Sequence, residues 1–189
     1  GTTGTGNLTL QNNSATNNNL TLQTTSINNV GTITNSGSGT GATLISGGVG
    51  SSVTGITENS STSALNITTN AITVNSSGTT LIVGSGASTF TVSGGTTGTG
   101  NLTLQNNSAT NNNLTLQTTS INNVGTITNS GSGTGATLIS AVIGSSVTGV
   151  VENSGTSTLV LSGDSSSANS GYTGGTTIKA GTVQVATNS

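Results

Sequence analysis

Gly1–Ser46 reads GTTGTGNLTLQNNSATNNNLTLQTTSINNVGTITNSGSGTGATLIS, and the same letters return unchanged as Gly95–Ser140. The chain therefore has an internal period of 94 residues. A long exact repeat of Thr, Asn, Ser, Gly and evenly spaced aliphatics is typical of folds that stack similar layers along one axis. We interpret residues 1–94 as a first unit and residues 95–189 as a second, within one continuous β-solenoid that is a fragment of a longer repetitive protein.

The composition argues against a globule with a thick core. The 189 residues include one Phe and one Tyr but no Trp, Met or Cys, so the usual core-building side chains are scarce. Disorder driven by net charge is also unsupported, because the formal net charge is only −2. The absence of Cys excludes a disulfide framework.

The scarcity of charged residues argues against two classes of binding partner, nucleic acids and membranes. The single cation, Lys179, leaves no basic patch for nucleic acid and no cationic amphipathic helix for a membrane surface. No run approaches the roughly 20 apolar residues of a spanning helix, so we expect no membrane insertion of this segment.

Short runs that alternate aliphatic and polar residues predict β-strands with one buried face. We expect Leu8, Leu10, Leu20, Leu22, Ile33 and Leu44 to point inward and Thr9, Thr21, Thr32 and Thr34 to point outward. The linking segments NNS, TNN, INNV and SGSGTG predict turns in which Asn and Gly supply positive φ. Nine runs fall in the first unit: Asn7–Gln11, Asn19–Thr25, Gly31–Asn35, Ala42–Ser46, Val53–Thr57, Ala64–Thr68, Ala71–Val74, Thr80–Val83 and Thr89–Val92.

This spacing predicts an all-β fold, a parallel β-helix with about three strands per coil. Three strands per coil give three coils of roughly 31 residues in each unit, or roughly six coils in the chain. Regular strands at this spacing also fit a β-sandwich. However, two sandwich domains would each need larger core side chains than this chain has.

The chemistry-bearing residues are few and separate. Without His or Cys, the chain lacks His-based triads, thiol nucleophiles and zinc sites. Glu58 and Glu152 hold equivalent repeat positions, and three coils would place them roughly 14 Å apart, too far for a catalytic pair. We therefore expect both to be solvated.

Three further features have ordinary explanations. Asp164 lies in a Ser-rich loop, but a calcium-binding β-roll needs repeated Asp. Lys179 alternates with Ile178 and is expected to face solvent, an isopeptide link to Asn being the alternative. The glycines resemble a phosphate loop only superficially and are interpreted as turns: Gly4, Gly6, Gly37, Gly39 and Gly41. We expect no catalytic, cofactor-binding or metal-binding residues, and no cofactor.

Two physical expectations follow from this composition. Stability should barely change with pH or salt, because few groups titrate or are screened. The ends of the stack should be unpaired strand edges without charged or proline gatekeepers. We therefore expect them to be covered by flanking repeats or by end-to-end self-association.

The C-terminal spelling LVLSG (Leu159–Gly163), YTGGTTI (Tyr172–Ile178) and AGTVQV (Ala180–Val185) resembles the autotransporter-associated β-strand repeat, or passenger-associated transport repeat, of bacterial surface proteins. The link DSSSANSGYTGG is longer than that family usually has. The resemblance implies a right-handed parallel β-helix on, or released from, a bacterial, Gram-negative cell. It also implies a role in passenger folding and export, not in catalysis.

The function predicted from these features is structural: a rigid extracellular stalk, adhesin or filament subunit with surface or glycan contacts. The alternative is a ligand-binding solenoid for ice or carbohydrate, suggested by Thr32-Ile33-Thr34 and Thr89-Phe90-Thr91. Leu20-Thr21-Leu22 and Ala64–Ile67 interrupt that threonine pattern. A polysaccharide lyase ranks third, because acidic and basic groups are lacking.

Overall fold

The computed structural model describes residues 2–163 and 171–186, and all regular structure in those ranges is β-strand. Strands pair in parallel with strands one coil away, giving a β-solenoid of about seven turns. The predicted all-β solenoid is therefore confirmed, while its right-handed winding stays a prediction. No helix long and apolar enough to cross a membrane occurs among these residues.

The strands are short and follow one another at regular intervals along the chain. In order they are β1 (Thr3–Thr5), β2 (Leu8–Leu10), β3 (Leu20–Leu22), β4 (Asn28–Asn35), β5 (Thr43–Ile45), β6 (Val53–Glu58), β7 (Leu65–Ile67), β8 (Ile72–Val74), β9 (Thr79–Val83), β10 (Phe90–Val92), β11 (Thr96–Gly98), β12 (Leu102–Asn106), β13 (Leu114–Leu116), β14 (Gly125–Asn129), β15 (Thr137–Ile139), β16 (Val147–Asn153), β17 (Leu159–Leu161), β18 (Thr176–Ala180) and β19 (Val183–Val185).

These strands form three faces around one narrow core. Face 1 is a nine-stranded sheet that runs from β1 and β2 through β4, β6, β9, β12, β14 and β16 to β18. Face 2 is an eight-stranded sheet that runs from β3 through β5, β7, β10, β13, β15 and β17 to β19. Among residues 2–163 and 171–186, face 3 consists of β8 paired with β11 and a series of single-residue bridges. Both long sheets continue without a break from the first repeat into the second.

The coils are shorter than the predicted 31 residues. On face 3, Ile27 pairs with Val49, Val49 with Ile72, Ile72 with Thr96 and Thr96 with Ile121, so successive coils contain 22, 23, 24 and 25 residues. Each 94-residue unit therefore makes four coils, not three. Counting alternating runs gave too few coils, because face 3 consists of a single bridging residue in most coils. One residue leaves no alternating pattern in the sequence.

The predicted inward and outward positions are largely correct, with one exception. Leu10 and Ile33 are buried in the core, and Thr32 and Thr34 lie outside. Leu44 was predicted to point inward but faces outward, because Thr43 and Ile45 take the core positions of β5. A shift of one residue reverses the face of every side chain in a strand.

Two segments that were predicted as turns differ from that prediction in the structure. INNV is no turn, since Asn28–Val30 begin β4 and pair with Thr3–Thr5. The run SGSGTG lies flat on the preceding coil: a Cβ atom on Gly39 would lie 2.2 Å from the Ser14 carbonyl oxygen. Its glycines are therefore needed for close backbone contact.

Candidate functional sites: polar corners and threonine columns

Glu58 and Glu152 do not face solvent but lie inside the solenoid, at the corner between face 1 and face 2. Both side chains are 0% exposed, so the prediction that they are solvated is wrong. The alternation of side chains along β6 could have predicted this burial. Ile56 points inward, so Glu58, two residues later, must point inward too. The two carboxylates lie four coils apart, or roughly 19 Å, and cannot act as a pair.

Each glutamate is held by a closed set of hydrogen bonds. In the first polar corner, Asn35 donates its Nδ2–H to Glu58 Oε2 at 2.7 Å, and the Ser60 backbone N–H donates to Oε1 at 2.6 Å. Asn35 Nδ2 also donates to the Ser63 carbonyl at 2.9 Å, and Thr43 Oγ1 donates to Asn35 Oδ1 at 3.1 Å. These bonds join two successive coils through side chains.

The second polar corner repeats this arrangement 94 residues later. Asn129 donates to Glu152 Oε2 at 2.8 Å, the Ser154 N–H donates to Oε1 at 2.7 Å, and Thr137 donates to Asn129 Oδ1 at 3.0 Å. The Ser157 hydroxyl donates to the Gly135 carbonyl at 2.9 Å. The repetition shows that the corners belong to the architecture of the stack.

Burial changes the protonation of both carboxyls. Desolvation raises the pKa of Glu58 to about 7, although the hydrogen bonds from Asn35 and Ser60 lower it in part. Desolvation also raises the pKa of Glu152, against hydrogen bonds from Asn129, Ser154 and the backbone of Leu159. A raised pKa often marks a catalytic acid. Here both carboxyls are sealed from solvent, so no substrate reaches them, and the shift concerns stability.

The remaining predicted residues do not join these corners. Lys179 lies in β18 and is exposed to solvent, as expected. Asp164 lies outside the described residues. Within residues 2–163 and 171–186, no group of three or more His, Cys, Asp or Glu side chains could hold a metal ion.

The outer surface of face 1 carries two columns of threonines in register. In one column Thr9 pairs with Thr34 and Thr34 with Thr57 on successive coils. In the other, Thr80 pairs with Thr103 and Thr103 with Thr128. The interruptions expected at Leu20-Thr21-Leu22 and Ala64–Ile67 lie on face 2, so they do not break these columns. Each column still holds only three successive threonines: Ile82 follows the first, and Gly55 and Val151 flank the second.

The last coil differs from the others at its corner. Only Gly181 and Thr182 separate β18 from β19, whereas six residues separate β6 from β7. Gly181 has a φ of +77°, and a Cβ atom there would lie 1.9 Å from the Ser154 carbonyl oxygen. A short glycine turn thus closes tightly over the second polar corner.

This distinct coil is where the chain matches a known family. Residues 153–185 match the passenger-associated-transport-repeat. The match confirms the resemblance based on Leu159–Val185 and begins six residues earlier. This repeat family implies a secreted or cell-surface bacterial protein, and the repeat together with the solenoid fits a structural domain of the autotransporter-passenger type. No curated protein and no solved structure matches the chain.

Proposed function

We propose that this chain is a non-catalytic stalk segment of a bacterial cell-surface or secreted passenger, and that it functions as a rigid spacer. One observation carries the proposal: two copies of the same sequence stack in the same two sheets, so each unit adds the same set of four coils. At roughly 4.8 Å per coil, each 94-residue unit extends the solenoid by about 19 Å. A unique reaction site has no use for such duplication, whereas a spacer does.

The interior chemistry supports the absence of catalysis. The strongest candidates for acid–base chemistry, Glu58 and Glu152, are completely buried and saturated with hydrogen bonds. Their network links neighbouring coils, which favours a role in holding the layers together. The passenger-associated repeat at residues 153–185 supports placement outside the cell.

The proposal is tested by adding length to the intact chain. A second copy of residues 1–94, inserted in register ahead of the natural one, should raise the maximum dimension in small-angle X-ray scattering by about 19 Å. The far-ultraviolet circular dichroism per residue should stay constant. A scrambled insert of the same composition is the matched control and should add disordered chain. An authentic insert that leaves the dimension unchanged would refute the stalk function.

The threonine columns favour a second candidate, binding to a regular hydroxyl-rich surface such as ice or a polysaccharide. Threonines on adjacent coils repeat at roughly 4.8 Å, and neighbouring columns lie about 7 Å apart. Thr103→Lys should abolish thermal hysteresis or retention on insoluble polysaccharide. Thr91→Lys, on face 2, is the matched control and should not. Equal behaviour of the two variants would exclude this candidate.

A further inference from the structure

The aliphatic side chains inside face 1 do not by themselves fix its register. Ile33, Ile56 and Leu81 pair in turn at inner positions of β4, β6 and β9, so an aliphatic lies on an aliphatic at each step. Because side chains alternate between the two faces of a strand, a displacement by two residues keeps each of them on the inner side. Apolar burial therefore selects the face of each residue but not its partner on the next coil.

The pairing of face 1 contains such a displacement. Four steps along the sheet lead from Leu10 to Asn106, which lies 96 residues further along the chain. The repeat is 94 residues long, so the equivalent of Leu10 is Leu104, and face 1 has moved by two residues within one unit. On face 2, four steps from Leu20 lead to Leu114, its true equivalent. Face 1 can thus be displaced along its strands while face 2 stays in place.

The first polar corner distinguishes one register from the other. Glu58 is 0% exposed, and its carboxylate accepts from the Ser60 N–H at 2.6 Å and from Asn35 Nδ2 at 2.7 Å. Ser60 lies on the same coil and moves together with Glu58, whereas Asn35 belongs to the preceding coil. A displacement by two residues would bring Glu58 opposite Ile33. The buried carboxylate would then lose the donor that the other coil supplies, which is costly.

The corner also connects face 1 to the fixed register of face 2. Asn35 is 0% exposed; its Oδ1 accepts from Thr43 Oγ1 at 3.1 Å, and its Nδ2 also donates to the Ser63 carbonyl at 2.9 Å. These two bonds orient the amide so that Nδ2 is also directed at the carboxylate of Glu58. Thr43 lies in β5 and pairs with Leu65 on face 2. The amide therefore aligns β6 against a sheet that is not displaced.

The second polar corner keeps this arrangement although the sequence beside it differs. Val150 and Val151 replace an isoleucine and a threonine of the first copy, yet Glu152 still pairs with Asn129 in the ladder. Its carboxylate accepts from Asn129 Nδ2 at 2.8 Å, and Thr137 again donates to Asn129 Oδ1 at 3.0 Å. Each set of four coils thus contains one such pair.

We propose that the buried pairs, Asn35 with Glu58 and Asn129 with Glu152, determine the register of face 1. Each pair admits one alignment of its two strands and excludes the alignments displaced by two residues. The pairs supply specificity more than net stability, because desolvation of a buried carboxylate offsets much of what its hydrogen bonds contribute. This property does not depend on what the solenoid carries or binds, so it extends beyond the proposed spacer function.

Disulfide formation can measure the register, since the chain has no Cys of its own. Thr34 and Thr57 are partners on the outer side of β4 and β6, so Thr34→Cys with Thr57→Cys reports the native alignment. Thr32→Cys with Thr57→Cys reports the displaced alignment. In the native alignment these two residues lie diagonally, roughly 8 Å apart, which is too far for a disulfide. Both pairs are compared after equilibration in a glutathione redox buffer.

The first variant replaces the buried pair by apolar residues of similar volume, Asn35→Leu with Glu58→Met. With the natural corner, the disulfide between positions 34 and 57 should form nearly completely, and the one between positions 32 and 57 only in traces. In the variant, the yield of the second disulfide should rise by about a hundredfold, because the displaced alignment no longer leaves a buried carboxylate without its partner. A folded variant that forms only the native disulfide would overturn the proposal.

The second polar corner is the matched control, because it is untouched in this variant. Thr128→Cys with Val151→Cys reports its native alignment, and Thr126→Cys with Val151→Cys reports the displaced one. In the background of Asn35→Leu with Glu58→Met, only the first of these pairs should form a disulfide. Equal displacement at both corners would mean that the substitutions loosen the whole stack, and this result would also overturn the proposal.

A second variant decides the question if the apolar corner does not fold. Ile33→Asn with Asn35→Ile keeps the composition and moves the amide by two residues along β4. Glu58 then finds its donor at position 33, so the disulfide should shift from positions 34 and 57 to positions 32 and 57. A disulfide that stays at positions 34 and 57 would contradict the proposal. Either result leaves the scattering test of the spacer function unchanged.

Discussion

Gly1–Ser46 and Gly95–Ser140 have the same sequence, yet among the described residues only the second copy has a coil packed on both sides. Leu114 is 0% exposed in the interior, while Leu20 is half-buried at the end. Asn113 donates to the Ala87 carbonyl at 2.9 Å, whereas its equivalent Asn19 is exposed. Because local sequence is identical, the difference comes from the neighbouring coil alone. Stability in this fold is a property of interfaces between layers.

The largest expected effect is a difference in the free energy of unfolding that is lost when equivalent core leucines of the two copies are replaced by alanine. Leu114→Ala should lower the free energy of unfolding by about 3 kcal/mol, because it leaves a cavity between two coils. Leu20→Ala should cost about 1 kcal/mol, since that side chain contacts a coil on one side only. Urea unfolding followed by circular dichroism measures both. Equal losses would contradict the idea that the neighbouring coil, and not the local sequence, sets the contribution of each leucine.

The second effect concerns pH and corrects the expectation that stability is insensitive to it. Glu58 has a pKa of about 7 when folded and 4.5 as its ordinary value. Between these values the folded chain keeps a proton that the unfolded chain releases, so stability is greatest below pH 4.5 and falls as pH rises through 7. The expected loss is about 3 kcal/mol. Glu152 should contribute in the same direction.

Urea midpoints measured from pH 4 to pH 8 check this sign. Glu58→Gln should flatten the dependence while leaving the contribution of Glu152, and the double variant with Glu152→Gln should remove nearly all of it. The measured quantity is the slope of the urea midpoint against pH. A change in absolute stability caused by the substitution leaves this slope readable. Stability that rises with pH would show that both carboxylates are held in the charged form.

The smallest effect compares two threonines at the same repeat position. Thr96→Val should cost about 1–2 kcal/mol, because it leaves Asn123 Oδ1 buried without its donor. Thr2→Val should be neutral or slightly stabilising, since Thr2 Oγ1 has no partner to lose. Thermal unfolding of both variants at low protein concentration provides the comparison. A cost at Thr2 as large as at Thr96 would indicate that the N-terminal coil forms this bond in solution.

The strands and their faces were predictable because alternation is a local property. Ile33 and Leu10 were placed correctly from their own neighbours in sequence. The coil length was not predictable by counting runs, because face 3 holds single bridging residues such as Val49 that leave no pattern. Leu44 was misplaced because Thr43, which donates to Asn35 across the corner of the same coil, takes a core position together with Ile45, and this leaves Leu44 between them on the outer side.

The polar corners were only partly predictable from the sequence. Alternation from Ile56 pointed to Glu58 as an inward residue, but a buried carboxylate is normally excluded unless it has partners. Those partners, Asn35 and Ser60, become visible only when the coils are stacked in register. The last coil was recognisable from its spelling alone, because the short glycine turn at Gly181 leaves a specific pattern.

The unequal coils also constrain how genes for such chains can change. Four coils of 22, 23, 24 and 25 residues repeat only as a set, so recombination between copies that gains or loses 94 residues restores every strand to its original neighbour. Loss of a single coil would place Glu58 beside a strand that lacks the Asn35 amide. Populations carrying this gene should therefore differ in length by whole sets of four coils, a polymorphism in steps of 282 base pairs, three for each of the 94 residues.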